Sequence, residues 1–332
     1  MYYDRTLEAL HPLIEKGGKY RWLFDYVRDR EDLDFLVGKN NNKEWISIYR
    51  GLSRIISLTT SGNQHNVIID AADRYKSIAR NNGLRIYGKI DEVKLLSKDL
   101  DKLIKIVDSD IAFDRYYKNN KEGYYQNHLS RKYGLKGKSS DDFIIVDKEA
   151  VIGYDDEMQK KNKFATMREK YENVLNKISH KNPKRYGANL SKKAIGNEVD
   201  FVALDRSGNI LLMELKHGTN TSGIYLSPIQ LGLYYEIFSD HQIGKSLGEA
   251  IFSMVKQKQS IGLIASGWDM PEKIKSIKPC LVISGYNPKS SAMIKYYEVA
   301  DILRENKKSF KFIDDIKVYT YSEDTGLISL DH

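Results

Sequence analysis

Gly196-Asn-Glu-Val-Asp-Phe-Val-Ala-Leu-Asp-Arg-Ser-Gly-Asn-Ile-Leu-Leu-Met-Glu-Leu-Lys-His217 sets two apolar runs on either side of Asp205-Arg-Ser-Gly-Asn209. A polar cluster holding Gly and Asn between apolar runs is a tight-turn signal, so the stretch reads as a β-hairpin. With the turn centred on Ser207, antiparallel pairing sets Asp200 opposite Glu214 and Glu198 opposite Lys216. Side chains alternate across a strand, so these four even-numbered positions project from one face. Strands this apolar lie inside a sheet, where an unpaired charge is expensive. Three acids and a lysine at one end of such strands need a chemical reason.

One reason is a hard divalent cation, whose oxygen ligands include carboxylates that would otherwise repel one another. A lysine beside it orients or deprotonates a water, its pKa lowered by the cation and by partial burial. The other reason is a structural ion pair, in which Glu214 and Glu198 neutralise Lys216 at a sheet end.

Asp200, thirteen intervening residues and then Glu214-Leu215-Lys216 resemble the core motif of the PD-(D/E)XK nuclease superfamily, with Val199 where that motif usually has Pro. Gln230-Leu-Gly-Leu-Tyr234, fourteen residues after Lys216, resembles the Gln-x-x-x-Tyr motif of RecB-type members. The resemblance covers about residues 156–322 and leaves the N-terminal part outside. It implies an α/β (α+β) chain in which a restriction-endonuclease-like domain at 138–332, a central mixed sheet flanked by helices, follows a separate N-terminal α+β domain at 1–137. It also implies a metal-dependent nuclease using Mg²⁺, or Mn²⁺, on a phosphodiester. Asp200, Glu214 and the Leu215 carbonyl would hold the cation, and Lys216 would position the attacking water. Gln230 and Tyr234 would orient Lys216 or the substrate strand, with DNA favoured over RNA. The rival from another class is a non-catalytic nuclease-fold module that binds nucleic acid or a protein partner.

Two further positions have competing readings. Phe164, Met167, Tyr171, Val174, Leu175 and Ile178 fall on one stripe of a helix predicted over 158–178, with Glu172 at its flank and Glu169 nearly opposite. The superfamily places a helical Glu ahead of the hairpin, and Glu172 fits that metal-facing position better than Glu169. Either is otherwise a surface acid. Ser227-Pro228 predicts a helix start after a loop at Gly218–Gly223, which makes Ser227-x-x-Gln230 a capping box and Gln230 merely a cap.

Composition sets the surroundings of such a site. The 332 residues suffice for two domains, and 41% hydrophobic with 30% charged residues is ordinary for a cytoplasmic protein. No apolar run is long enough for a membrane span, and Cys280 alone excludes an internal disulfide or a cysteine-rich zinc site. The net charge of +8 is uneven: residues 158–193 hold eleven Lys/Arg against Glu169 and Glu172. Such a block suits a polyanion, with Lys181, Lys184, Arg185, Lys192 and Lys193 as phosphate contacts, although a charge run is also an ordinary solvated face.

The first half carries no such motif. Helical spacing predicts helices over 4–14, 20–36, 92–107 and 111–133, and short strands at Trp45–Arg50, Ser53–Leu58, Asn66–Asp70 and Leu84–Gly88. Tyrosines beside Arg (Tyr49, Tyr75, Tyr116, Tyr117) are candidates to stack bases, or else amphipathic sheet residues. With twenty-seven Lys/Arg against twenty-three Asp/Glu, residues 1–150 suit target selection or a protein partner better than a non-specific DNA clamp. A linker is expected at Gly134–Asp142, followed by Phe143–Val146 and Ala150–Tyr154 as a strand pair or one extended segment.

Overall fold

The computed structural model describes residues 1–40, 43–60, 67–84, 87–89, 97–109, 117, 121–186 and 198–330. They form two compact units, each discontinuous in sequence. One comprises Asp4–Asp147 with Glu249–Met270, the other Met1–Tyr3, Lys148–Gly248 and Pro271–His332. The division therefore falls ten residues beyond the expected cut at 137/138, and residues 249–270 belong with the N-terminal unit. The chain is α+β in both units.

The N-terminal unit is built on an antiparallel meander of β1 (Asp34–Asn40), β2 (Lys43–Arg50), β3 (Ser53–Thr60), β4 (Val67–Ala71) and β5 (Tyr87–Lys89). Its described helices include α1 (His11–Ile14), α2 (Arg21–Arg28), α3 (Asp73–Asn81), α4 (Ser97–Ser109) and α5 (Lys121–Ser130). The core gathers Leu10, Leu23, Phe24, Ile46, Ile48, Leu58 and Ile69, together with Ile261 and Leu263 from the returning segment.

Two predicted helices are shorter than their spacing suggests, and tertiary partners are the reason. The helix predicted over 20–36 stops at Arg28, and Asp34–Asn40 is a strand instead. The buried Arg131 guanidinium donates to the carbonyls of Val27 (3.0 Å), Arg28 (2.9 Å) and Leu33 (2.5 Å), satisfying the helix end and the turn beyond it. Of residues 4–14 only His11–Ile14 is helical. The fully buried Glu44 carboxylate accepts the amides of Glu8 (2.8 Å), Ala9 (3.0 Å) and Leu10 (3.0 Å), so these groups are spent on β2. Two of the tyrosines named for stacking turn inward as well, while Tyr49 is half-buried on β2. Tyr75 is buried with its hydroxyl 2.9 Å from Ser53 Oγ, and Tyr117 is buried with Arg50 over its ring. Tyr116 lies outside the described residues.

The second unit is organised by a mixed sheet whose neighbouring strands run in the order β11-β10-β9-β8-β7. After β6 (Phe143–Ala150), which runs across the division at 147/148, its strands are β7 (Val199–Asp205), β8 (Asn209–His217), β9 (Ser276–Ser284), β10 (Lys317–Ser322) and β11 (Gly326–Ser329). The pairs β8/β9 and β9/β10 are parallel, whereas β7/β8 and β10/β11 are antiparallel. Parallel neighbours need crossover connections, and helices supply them. Helices α8 (Thr221–Phe238) and α9 (His241–Ile261) intervene between β8 and β9, and α10 (Ala292–Arg304) between β9 and β10. Ahead of the hairpin come α6 (Glu157–Lys181) and the single turn α7 (Pro183–Tyr186). Asp156 caps α6 by accepting the Gln159 amide at 2.7 Å, and its predicted stripe is buried except for the half-buried Met167.

Candidate active site

The hairpin forms in the predicted register. Phe201 pairs with Met213, Val202 with Leu212, Ala203 with Leu211 and Leu204 with Ile210. One step further along that register, Asp200 faces Glu214. The turn closes on Asp205, whose carboxylate accepts the Asn209 amide and side-chain amide, each at 2.7 Å. Gly208 supplies the left-handed residue there (φ 89°), and a Cβ would also meet the Lys273 carbonyl oxygen at 2.3 Å.

At the open end of the hairpin the charged groups converge. Asp200 is half-buried, and its Oδ2 accepts the Leu215 amide at 2.7 Å. Glu214 is 1% exposed and forms an ion pair with the Lys216 ammonium, its neighbour on the same strand face. Tyr234, also 1% exposed, donates its hydroxyl to the Glu198 carbonyl at 2.5 Å and accepts from Gln230 Nε2 at 2.8 Å. Burial drives the Tyr234 phenol well above its ordinary pKa, and the negative charges of Glu214 and Asp200 push it further. Asp200, Glu214, Lys216, Gln230 and Tyr234 thus occupy one neighbourhood, from two strands and one helix.

The helix that brings Gln230 and Tyr234 starts earlier than predicted. Asn220 is the cap of α8, its Oδ1 accepting the Gly223 amide at 2.9 Å, so the expected loop at Gly218–Gly223 is mostly a helix entry. Ser227 and Pro228 lie inside the helix, so Ser227 is not its cap and the capping-box reading of Gln230 is overturned. In an uninterrupted helix the Ile224 carbonyl would accept the amide of residue 228, which proline lacks. Ser227 Oγ donates to that carbonyl at 2.7 Å instead. Asn220 was legible as a good capping residue; the more prominent Ser-Pro obscured it.

Other predicted residues are not gathered here. Glu172 is half-buried on α6, which packs on α7, α8 and α10, and no hydrogen bond or ion pair joins it to Asp200 or Glu214. Glu198 is exposed and contributes its backbone carbonyl; the acid paired with Lys216 is Glu214. Of the basic block, Lys181 and Lys184 are exposed, and Arg185 pairs with Glu298 at 2.5 Å. Lys192 and Lys193 lie outside the described residues.

The donor set decides which cation fits. Among the described residues, no cluster of three or more His, Cys, Asp or Glu side chains is placed to hold a metal ion. The Asp200 and Glu214 carboxylates are oxygen donors of the kind Mg²⁺ takes, which binds through one or two carboxylates and keeps several waters. No family model, no curated protein and no solved structure matches this chain.

Proposed function

We propose that the chain is a metal-dependent nuclease of the PD-(D/E)XK type, acting on DNA in preference to RNA through the unit that carries the hairpin. One observation carries the reading: Asp200, Glu214 and Lys216 meet at a strand end against the hydrogen-bonded Gln230–Tyr234 pair. In this reading Asp200 and Glu214 hold Mg²⁺ or Mn²⁺, with Leu215 as a backbone donor. The cation, when bound, polarises the phosphoryl oxygen and makes water a stronger nucleophile at neutral pH. Lys216 offsets the negative charge that grows on the phosphorus oxygens in the transition state. Tyr234 fixes the backbone at Glu198, two residues before Asp200, and Gln230 holds the Tyr234 hydroxyl in place. The N-terminal unit selects the target, by nucleic-acid structure or through a partner protein. No described helix is long and apolar enough to cross a membrane.

The test is cleavage of linear, circular and single-stranded DNA and of RNA, with and without Mg²⁺. Asp200→Ala and Glu214→Ala should each abolish cutting, and an Asp200→Ala chain that folds and cuts like the wild type would remove this site. The Glu214–Lys216 ion pair equally suits a non-catalytic module that binds nucleic acid or protein. Calorimetric titration separates the two, because that module needs no affinity for Mg²⁺ or Mn²⁺.

A further inference from the structure

Gly223 stands in the first turn of α8, where glycine is a poor helix former. It is not among the described glycines with positive φ, so its backbone conformation does not call for glycine. Space does. A Cβ there would lie 2.7 Å from Lys216 Cδ, and 2.6 and 2.7 Å from Asn220 Nδ2 and Cγ. The Lys216 stem therefore rests against the helix backbone at Gly223, while its ammonium is held by Glu214. The side chain is 12% exposed and confined at both ends.

We propose that Gly223 is a positioning residue for the site: its missing side chain lets α8 begin against the Lys216 stem and seats the ammonium on Glu214. This rests on the reading of Lys216 as a group that acts on the phosphate. Any Cβ at 223 drives the stem outward and shifts the ammonium from its carboxylate. The chemistry then loses a placed charge, while substrate contacts elsewhere are untouched.

The experiment is a double-mutant cycle in the full-length chain: wild type, Gly223→Ala, Lys216→Ala and both together. Gly223→Ala should lower the melting temperature clearly more when Lys216 is present than when residue 216 is alanine, where only the crowding of Asn220 remains. With Mg²⁺ and DNA, the same variant should lose at least tenfold in kcat while KM stays within twofold. An equal loss of melting temperature in both backgrounds would assign the crowding to Asn220 and overturn the proposal, as would an unchanged kcat. A Gly223→Ala chain that unfolds alone but folds with Lys216→Ala is the expected coupling at its extreme, whereas unfolding in both backgrounds overturns it. Wild-type protein that cuts nothing removes the nuclease reading, and the thermal coupling still decides the seating of Lys216.

Discussion

Replacing Ser227 by alanine removes one oxygen from a position with no solvent exposure, and α8 makes its cost calculable. Ser227 Oγ is 2.7 Å from the Ile224 carbonyl, the acceptor that Pro228 cannot serve. Ile224 is itself 2% exposed, so water cannot easily take over. A buried carbonyl left without a donor costs about 1–3 kcal/mol. For a unit of this size each kcal/mol is worth about 2–4 °C, so Ser227→Ala should melt roughly 2–12 °C lower. The change in volume is too small to add much. Pro228→Ala returns an amide to the same carbonyl and relieves a residue that costs about 3 kcal/mol inside a helix. The double variant Ser227→Ala/Pro228→Ala should therefore regain most or all of the lost stability. Circular dichroism melts and urea titrations of the four chains measure this directly. A Ser227→Ala chain within about 0.5 kcal/mol of the wild type, or a double variant no more stable than the single one, would refute the repair argument.

Tyr234→Phe removes the donor to Glu198 and the acceptor for Gln230, and should cost about 1–2 kcal/mol together with at least a tenfold loss of cleavage rate. Gln230→Ala should cost less stability, since Gln230 is half-buried; melting temperature and turnover measured side by side separate the two effects. Burial alone would raise the Asp32 carboxyl, but hydrogen bonds and charge from Arg30, with Arg50 beyond, hold it below its usual 3.8. A depressed carboxyl stabilises above its unfolded pKa and loses that contribution as pH falls through the folded value. Asp32→Asn should thus lower stability at neutral pH and flatten the acid-side loss below about pH 4, measured as urea midpoint against pH. A 138–332 fragment carries residues 249–270 without the N-terminal core in which Ile261 and Leu263 are buried. It should bind a hydrophobic dye or aggregate, and a soluble fragment with one cooperative melt would contradict the division of units.

The hairpin was legible because everything that defines it is local. A turn with Gly208 at positive φ, two apolar runs and a period of two fix which residues face each other, and the observed register is the predicted one. A helix with one strong apolar stripe was equally readable: α6, predicted over 158–178, spans Glu157–Lys181. The Gln230–Tyr234 contact follows from a helical separation of four, whatever caps the helix.

Tertiary structure decided what depends on partners far away in the chain. Arg131 takes three carbonyls around the end of α2, and Glu44 takes three amides ahead of α1, so α2 stops earlier and α1 starts later than its own spacing suggests. Helix α8 is buried along most of its length, and the Ser-Pro inside it mimics a start that only the Ile224 carbonyl reveals as a repair. Residues 249–270 join the N-terminal unit because Ile261 and Leu263 complete that unit's core, which no local pattern announces. Glu172 illustrates the same limit within the site. Its position on the flank of α6 followed from 3.6-residue periodicity, whereas the packing of α6 on α8 and α10 leaves it half-buried. Backbone geometry is inherited from neighbours in sequence, whereas the company a side chain keeps is set by which surfaces bury one another.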